Sequence, residues 1–440
     1  MLVAVIFFLF ISLAIIAGLV SPSVREFRTA NVNLNSKKSY FLSESGSEDA
    51  VYRIKKSMTI GASETITLNS NSATTTITAV SASEKEISSL GNVSSLQRKT
   101  KITISTAPGV SFGYGVQVGA GGLRMDNNSQ VNGNVYSNGN IVGNNGARIT
   151  GTAIATGATG KIDAIQVDQN ATAHFLEDIT VNGSTSSASL LRATVSGNAV
   201  SDSISDCTIN GSATYDTKTN CTVSGTQTTP NLSNFEDPVA EEFPISEEQI
   251  DAWEADATAG GTINSYTLDD DAAFLGPKKI NGNLTLSNNA TLILTGTVWV
   301  TGTINASNGS MIKLDLSYGA LSGVIIAGTG GSSSAGEITF SNNSEAQGSG
   351  TAGSYMLVLS QRNNTSSTAI TQSNNASSAI LYAPEGVVEI SNNATMKEVT
   401  AYKIHLSNGA VISYESGLAN INFSGGPSGG WFVDEWKEDQ

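Results

Sequence analysis

Three patterns of hydrophobic and polar positions succeed one another along the chain. The first is unbroken. Leu2 to Val20 reads LVAVIFFLFISLAIIAGLV, a run of 19 residues with no charge and one serine. A helix rises 1.5 Å per residue, so this run spans about 28 Å, close to the ~30 Å hydrocarbon core of a bilayer. A helix also satisfies its own backbone there, so the run predicts a transmembrane helix. A cleaved signal peptide is the alternative, but no Lys or Arg precedes Val24 and Gly18-Leu19-Val20 is a poor cleavage site. Beyond Pro22 an irregular apolar face (Val24, Phe27, Tyr40, Phe41, Val51, Ile54) carries the helix to about Met58. Gly46 and the asparagines of 31–35 weaken it.

From 59 the period becomes two. SETITLNSN, ATTTITAV, EKEISSL and RKTKITIST predict four short strands joined by polar turns.

The third pattern is a repeat. A turn-like tetrad recurs as Ser287-Asn288-Asn289-Ala290, Ser307-Asn308-Gly309-Ser310, Ser341-Asn342-Asn343-Ser344, Ser373-Asn374-Asn375-Ala376, Ser391-Asn392-Asn393-Ala394 and Ser407-Asn408-Gly409-Ala410. Their first residues are 20, 34, 32, 18 and 16 apart, which suggests a repeat of 16–20 with two rungs carrying variant turns. Short alternating strands separated by glycine fill the intervals, as in Gly296-Thr297-Val298-Trp299-Val300. Short strands and turns at this spacing fit the coils of a parallel β-helix stacked ~4.8 Å apart. Asparagine tolerates the left-handed backbone of a sharp corner, and its amide can bond to the asparagine above and below. Asn288, Asn308, Asn342, Asn374, Asn392 and Asn408 are therefore expected to form a turn ladder. An antiparallel sandwich is the alternative; it would not require one tetrad at a regular spacing.

Residues 106–230 follow the same grammar less regularly, beginning with Asp126-Asn127-Asn128-Ser129. Cys207 and Cys221 occupy matching phrases, Asp206-Cys207-Thr208-Ile209-Asn210-Gly211 and Asn220-Cys221-Thr222-Val223-Ser224-Gly225. Their spacing of 14 is close to one coil, which would superpose the thiols and predicts a structural disulfide. Such a bond implies an oxidising, extracytoplasmic setting. Between the repeat regions, 235–244 is acidic and proline-bearing. Ser246-Glu247-Glu248-Gln249 then reads as a capping box, with Ile250, Trp253 and Ala257 on one helical face and Gly260-Gly261 ending it. That helix is expected to pack on the β-helix or cap its second part. The tail Trp431 to Trp436 is expected to cover the last coil.

The resulting organisation is mainly β. It comprises a transmembrane and pilin-like helix (1–58), a small antiparallel sheet (59–105), a first β-helix region (106–230), an acidic linker and capping helix (231–261), a second β-helix region (262–427) and a C-terminal cap (428–440).

Composition then narrows the chemistry. Lys+Arg 23 against Asp+Glu 38 gives a net charge of −15, which argues against a nucleic-acid partner. Two histidines and two cysteines leave few transition-metal ligands, so no metal and no cofactor is expected. Asp269-Asp270-Asp271 is the densest acidic cluster and reads as a solvated loop, with calcium as the alternative. Glu385, Glu389, Lys397 and Glu398 look scattered, His174 and His405 look isolated, and no catalytic residue is assigned. The sequence holds no Gly-x-Ser-x-Gly, no His-Glu-x-x-His and no phosphate loop. Asn-x-Ser/Thr triplets, as at Asn170, Asn289 and Asn393, follow from composition alone.

An apolar helix running into a polar, amphipathic one and then a small antiparallel sheet resembles a type IV pilin-like subunit, most closely the PilX-like minor pilin. Ser43-Glu44-Ser45-Gly46-Ser47-Glu48-Asp49-Ala50 is similar to the Ala/Glu/Gly-rich stretch of that family's helix. Ser89-Leu90-Gly91-Asn92 followed by Arg98-Lys99 resembles its last two strands. The Glu found near the start of the mature helix in major pilins has no counterpart here. The resemblance implies a membrane-anchored cell-surface protein, a minor pilin or adhesin without enzymatic activity, displaying a rigid β-helix outside the cell. Its implied partners are membrane lipid and other pilin-like subunits through the N-terminal helix; the solenoid face offers contacts to surface glycans. Arg25, Arg28, Lys37 and Lys38 follow the span, which by itself favours a cytoplasmic side, yet long domains translocate largely regardless of charge. The alternative function is a polysaccharide lyase or hydrolase on the β-helix; a groove with three or more carboxylates or bases on stacked strands would mark it.

Overall fold

The computed structural model describes residues 2–55, 60–80, 84–106, 110–231, 234–421, 423 and 431–439, without the side chains of 17, 19, 21, 55, 106, 420, 431 and 432. The expected boundaries at 58 and 427 lie outside the described residues. The chain forms two compact units: Met1–Thr106 with Trp431–Gln440, and Ala107–Gly430.

The first unit is a helix and a sheet. The helix Leu2–Lys55 continues through Pro22. Its apolar first part buries nothing: Leu2, Val3, Phe7, Phe8 and Phe10 are all exposed. Among the described residues no helix is long and apolar enough to cross a membrane.

The later part of the helix packs closely on the sheet because its contact face is small. Ser39, Ser43, Ser47 and Ala50 are buried. Ser39 Oγ donates to Gly91 O at 2.7 Å, and Ser47 Oγ meets Thr100 Oγ1 at 2.8 Å. A β-carbon on Gly91 would lie 2.1 Å from Ser39 O, so this crossing admits only glycine. The four strands Ser63–Leu68, Asn71–Ala79, Glu84–Val93 and Leu96–Thr106 form an antiparallel meander. A fifth strand completes it. Trp431–Asp439 pairs antiparallel with Leu96–Thr106, and Lys99 Nζ bonds Asp439 Oδ2 at 2.6 Å. This corrects the expectation for the tail, which closes the sheet instead of covering a coil. Its backbone pairs with Leu96–Thr106 along the strand, and Arg98 pairs with Glu438 as Lys99 does with Asp439.

The second unit is a parallel β-solenoid inserted, in sequence, between the last two strands of that sheet. Its own ends meet: Val110 and Ile421 exchange backbone hydrogen bonds at 2.8 and 3.1 Å. The two repeat regions form one column with its chain order permuted. The strand ending at Leu406, late in the sequence, lies beside Val116–Met125, early in it. One inward aliphatic row shows the continuity: Ile338, Ile370, Val388, Ile404, then Leu123, Ile141, Ile162 and Leu176, each beside the next. All are at most 2% exposed, each burial contributing about 1.5–3 kcal/mol.

Coil length varies along the column. From Ala171 on the register advances by 14, as Ala171, Thr185, Ala199 and Ala213. The intervals of 34 and 32 are single coils, which corrects the reading of hidden rungs. Asn342 bonds directly to Asn308, and Asn374 to Asn342, each at 3.0 Å. The extra residues leave the coil as excursions, including the short 3-10 helix Leu316–Tyr318.

The acidic linker is a strap along the column. In order, Asn231 N donates to Asp216 Oδ1, Gly157 N to Pro238 O, Asn138 Nδ2 to Glu241 O, Gln117 Nε2 to Glu242 O, and Tyr382 Oη to Ile245 O. It thus descends the first region, crosses the seam and reaches the second. The helix Glu247–Ala259 follows, with Ser246 accepting from Gln249 N at 3.3 Å. It packs on the column's side, not its end: Trp253 is buried edge-on to Phe423, 5.4 Å between centroids.

Candidate functional site

The corners come first, because they set what faces outward. Each tetrad places its two central residues in the left-handed region, for example Asn374 (φ 53) and Asn375 (φ 60). Asn342, Asn374, Asn392 and Asn408 each donate from Nδ2 to the Oδ1 of the tetrad asparagine one coil before. The ladder crosses the seam, since Asn127 donates to Asn408 at 3.0 Å and Asn145 to Asn127 at 3.2 Å. At the other end Asn288 donates to Asp269 at 2.8 Å, and no side-chain bond joins it to Asn308 among the described residues. In the 14-residue coils a single left-handed residue replaces the pair: Asp178, Arg192, Asp206 and Asn220. The residues after Asp206 and Asn220 are Cys207 and Cys221, which are disulfide-bonded with a Cα separation of 4.5 Å. Asp269 also accepts from Ser287 Oγ at 2.7 Å. Among the described residues no group of three His, Cys, Asp or Glu side chains is placed to hold a metal.

Fixed corners put the residue two places before each tetrad on one outward row. For three successive coils these are Glu389, His405 and Arg124, in register across the seam. This corrects the reading of Glu389 and His405 as scattered and isolated. Lys403 joins them, and with Thr365, Ser366 and Thr368 of an excursion they line a cavity of about 200 Å³. Two of the lining residues share a partner, Asp126, whose Oδ2 accepts from Arg124 Nε at 2.7 Å and lies 2.9 Å from His405 Nε2. Burial pushes the Asp126 carboxyl up, but the bonds from Arg124 and His405 outweigh it and hold it below the usual carboxylate range. Lys403 and Glu389 make no ion pair among the described residues. The groove therefore offers one uncommitted carboxylate, Glu389, and two cations, Arg124 and Lys403.

Arg124 and Lys403 carried no signal of their own in the sequence, and Asp126 read only as part of a turn. The signal was in the stacking: Asp126-Asn127-Asn128-Ser129 is itself a tetrad, and stacking it on Ser407-Asn408-Gly409-Ala410 puts Arg124 beside His405. What hid it is chain order, because these tetrads lie far apart in sequence and meet only at the seam.

Other concentrations of charge and space are committed elsewhere. His174 Nδ1 lies 2.7 Å from Asp237 Oδ1, within the strap. Lys161, Asp163, Glu177, Asp178 and Arg192 form an ion-pair ladder at the short corners, with Lys161–Asp163 at 2.7 Å and Arg192–Asp178 at 2.6 Å. A larger cavity of about 710 Å³ is lined chiefly by glycine and hydroxyl side chains. Its charged pair, Lys397 and Glu415, is closed on itself at 2.6 Å.

No family model matches the chain, and no curated protein matches it. Among solved structures the chain is similar to the competence-associated pilin ComZ from Thermus thermophilus, at 9% identity. That match covers 92% of this chain and 97% of the other, with a TM-score of 0.27. A score that low does not establish a shared fold.

Proposed function

We propose that this chain is a membrane-anchored, non-enzymatic cell-surface protein of the minor-pilin type that displays a rigid β-solenoid. The observation that supports this most is the uncovered apolar part of the helix Leu2–Lys55, where Leu2, Val3, Phe7 and Phe8 are exposed. Such a surface is costly in water and calls for lipid or sister helices around it. The disulfide supports an extracytoplasmic solenoid. The partners in this reading are membrane lipid, pilin-like subunits along the helix and surface glycans on the solenoid. On expression of the full chain, detergent partitioning should carry it into the detergent phase. Leu9→Lys, which costs about 3 kcal/mol at a helix centre, should shift it toward water. Wild-type protein that stays monomeric in the aqueous phase would contradict anchorage.

One observation favours a second reading, a polysaccharide-cleaving enzyme: the groove gathers His405, Arg124, Lys403 and Glu389 on stacked strands, with Asp126 bonded behind His405. Against it, Asp126 is tied to Arg124 and His405, which leaves Glu389 without a second free carboxylate to make a hydrolase pair. Turnover of pectin- or alginate-like polymers, lost in His405→Gln, would transfer the conclusion to the enzyme.

A further inference from the structure

We propose that the groove at the seam binds one acidic sugar unit of an extracellular polysaccharide, a ring bearing a single carboxylate and several hydroxyls. This rests on the glycan partner of the surface reading and adds the place and the chemistry.

Size sets the first limit. A cavity of about 200 Å³ receives one small polar unit and leaves no room for a helix or a folded partner. Charge sets the second. Arg124 and Lys403 against Glu389 leave the lining one positive charge, and Asp126, which is not part of the lining, is held by Arg124 and His405 with its side chain 11% exposed. The uncommitted groups at the mouth are therefore Lys403 and Glu389, with the outer face of the Arg124 guanidinium beside them. Lys403 and Arg124 suit a ligand carboxylate. Glu389, an acceptor only, suits ligand hydroxyls, as does Ser366 at the rim. A dianion such as phosphate exceeds that single positive charge and meets the Glu389 carboxylate, so it is disfavoured. A neutral sugar leaves Lys403 without its counter-charge. A hydroxylated monoanion satisfies both. The floor is built for this, because all three rungs are locked in register by the ladder at their corners.

The test is calorimetric titration of the full chain in detergent with trigalacturonate, with maltotriose and inorganic phosphate as comparisons. Trigalacturonate should bind and the other two should not. Lys403→Met should weaken binding at least tenfold, while Lys313→Met, on the separate sheet of Thr291–Leu294 and Met311–Leu314, should leave it unchanged. Absence of trigalacturonate binding, equal binding of maltotriose, or no loss in Lys403→Met would each overturn the proposal. Because the titration is done in detergent, its result does not depend on where the protein partitions, so either idea can fail alone.

Discussion

Glu398 is wholly buried on the strand Glu398–Leu406. Its Oε1 accepts from Thr400 Oγ1 at 2.6 Å, and its Oε2 has no partner among the described residues. Burial raises its pKa well above the ordinary glutamate value, opposed only in part by the Thr400 bond. The folded chain therefore keeps a proton that the unfolded chain loses above about pH 4.3. Where the folded state binds the extra proton, stability falls as pH rises, from the unfolded pKa up through the folded one. Glu398→Gln keeps the shape and removes the ionisation. It should match the wild type near pH 4 and exceed it by a margin that widens toward pH 8, measured as denaturation midpoints across that range. A margin that does not change with pH would show that the carboxyl is ionised in the fold.

At the scale of the element, the corner governs the coil. Asn374 holds φ 53 and makes two ladder bonds, to Asn342 and from Asn392. Asn374→Ala loses both bonds, at about 1 kcal/mol each, and adds left-handed strain of about 1 kcal/mol. Asn374→Gly loses the bonds without the strain. Hydrogen exchange at Asn343 and Asn375, whose amides bond to carbonyls of the neighbouring coils, should therefore speed up more in the alanine variant than in the glycine variant. Equal exchange in the two variants would mean the left-handed backbone imposes nothing. These corners were legible in the sequence because the left-handed pair of each tetrad falls on Asn or Gly. The four meander strands were legible for a similar reason, since alternation reports one buried face. The fifth strand was not. Trp431 to Trp436 is as apolar as a cap would be, and only its pairing with Leu96–Thr106 distinguishes the two. The long intervals of 34 and 32 misled because spacing counts residues without showing which of them leave the coil. The strap was not legible, because these bonds run through backbone carbonyls and an N–H that any linker carries.

At the scale of the molecule, fold class was readable and connectivity was not. Local repeats state that coils stack, but they do not state which coil follows which in space. The seam between Glu398–Leu406 and Val116–Met125 reverses the order that the sequence suggests, and the groove of Glu389, His405 and Arg124 exists only because of it. The strap is the consequence: a chain that ends its first region at one end of the column must travel back to begin the second. One measurement addresses the seam directly. Ser413 and Asn132 lie side by side across it, with Asn132 Nδ2 donating to Ser413 Oγ at 3.0 Å. Neighbouring strands lie ~4.8 Å apart, within reach of a disulfide. The double variant Asn132→Cys with Ser413→Cys, oxidised and mapped by peptide mass, should yield a 132–413 cross-link in the folded protein. If both introduced thiols stay open to alkylation under those conditions, the two regions are separate columns and the seam does not exist.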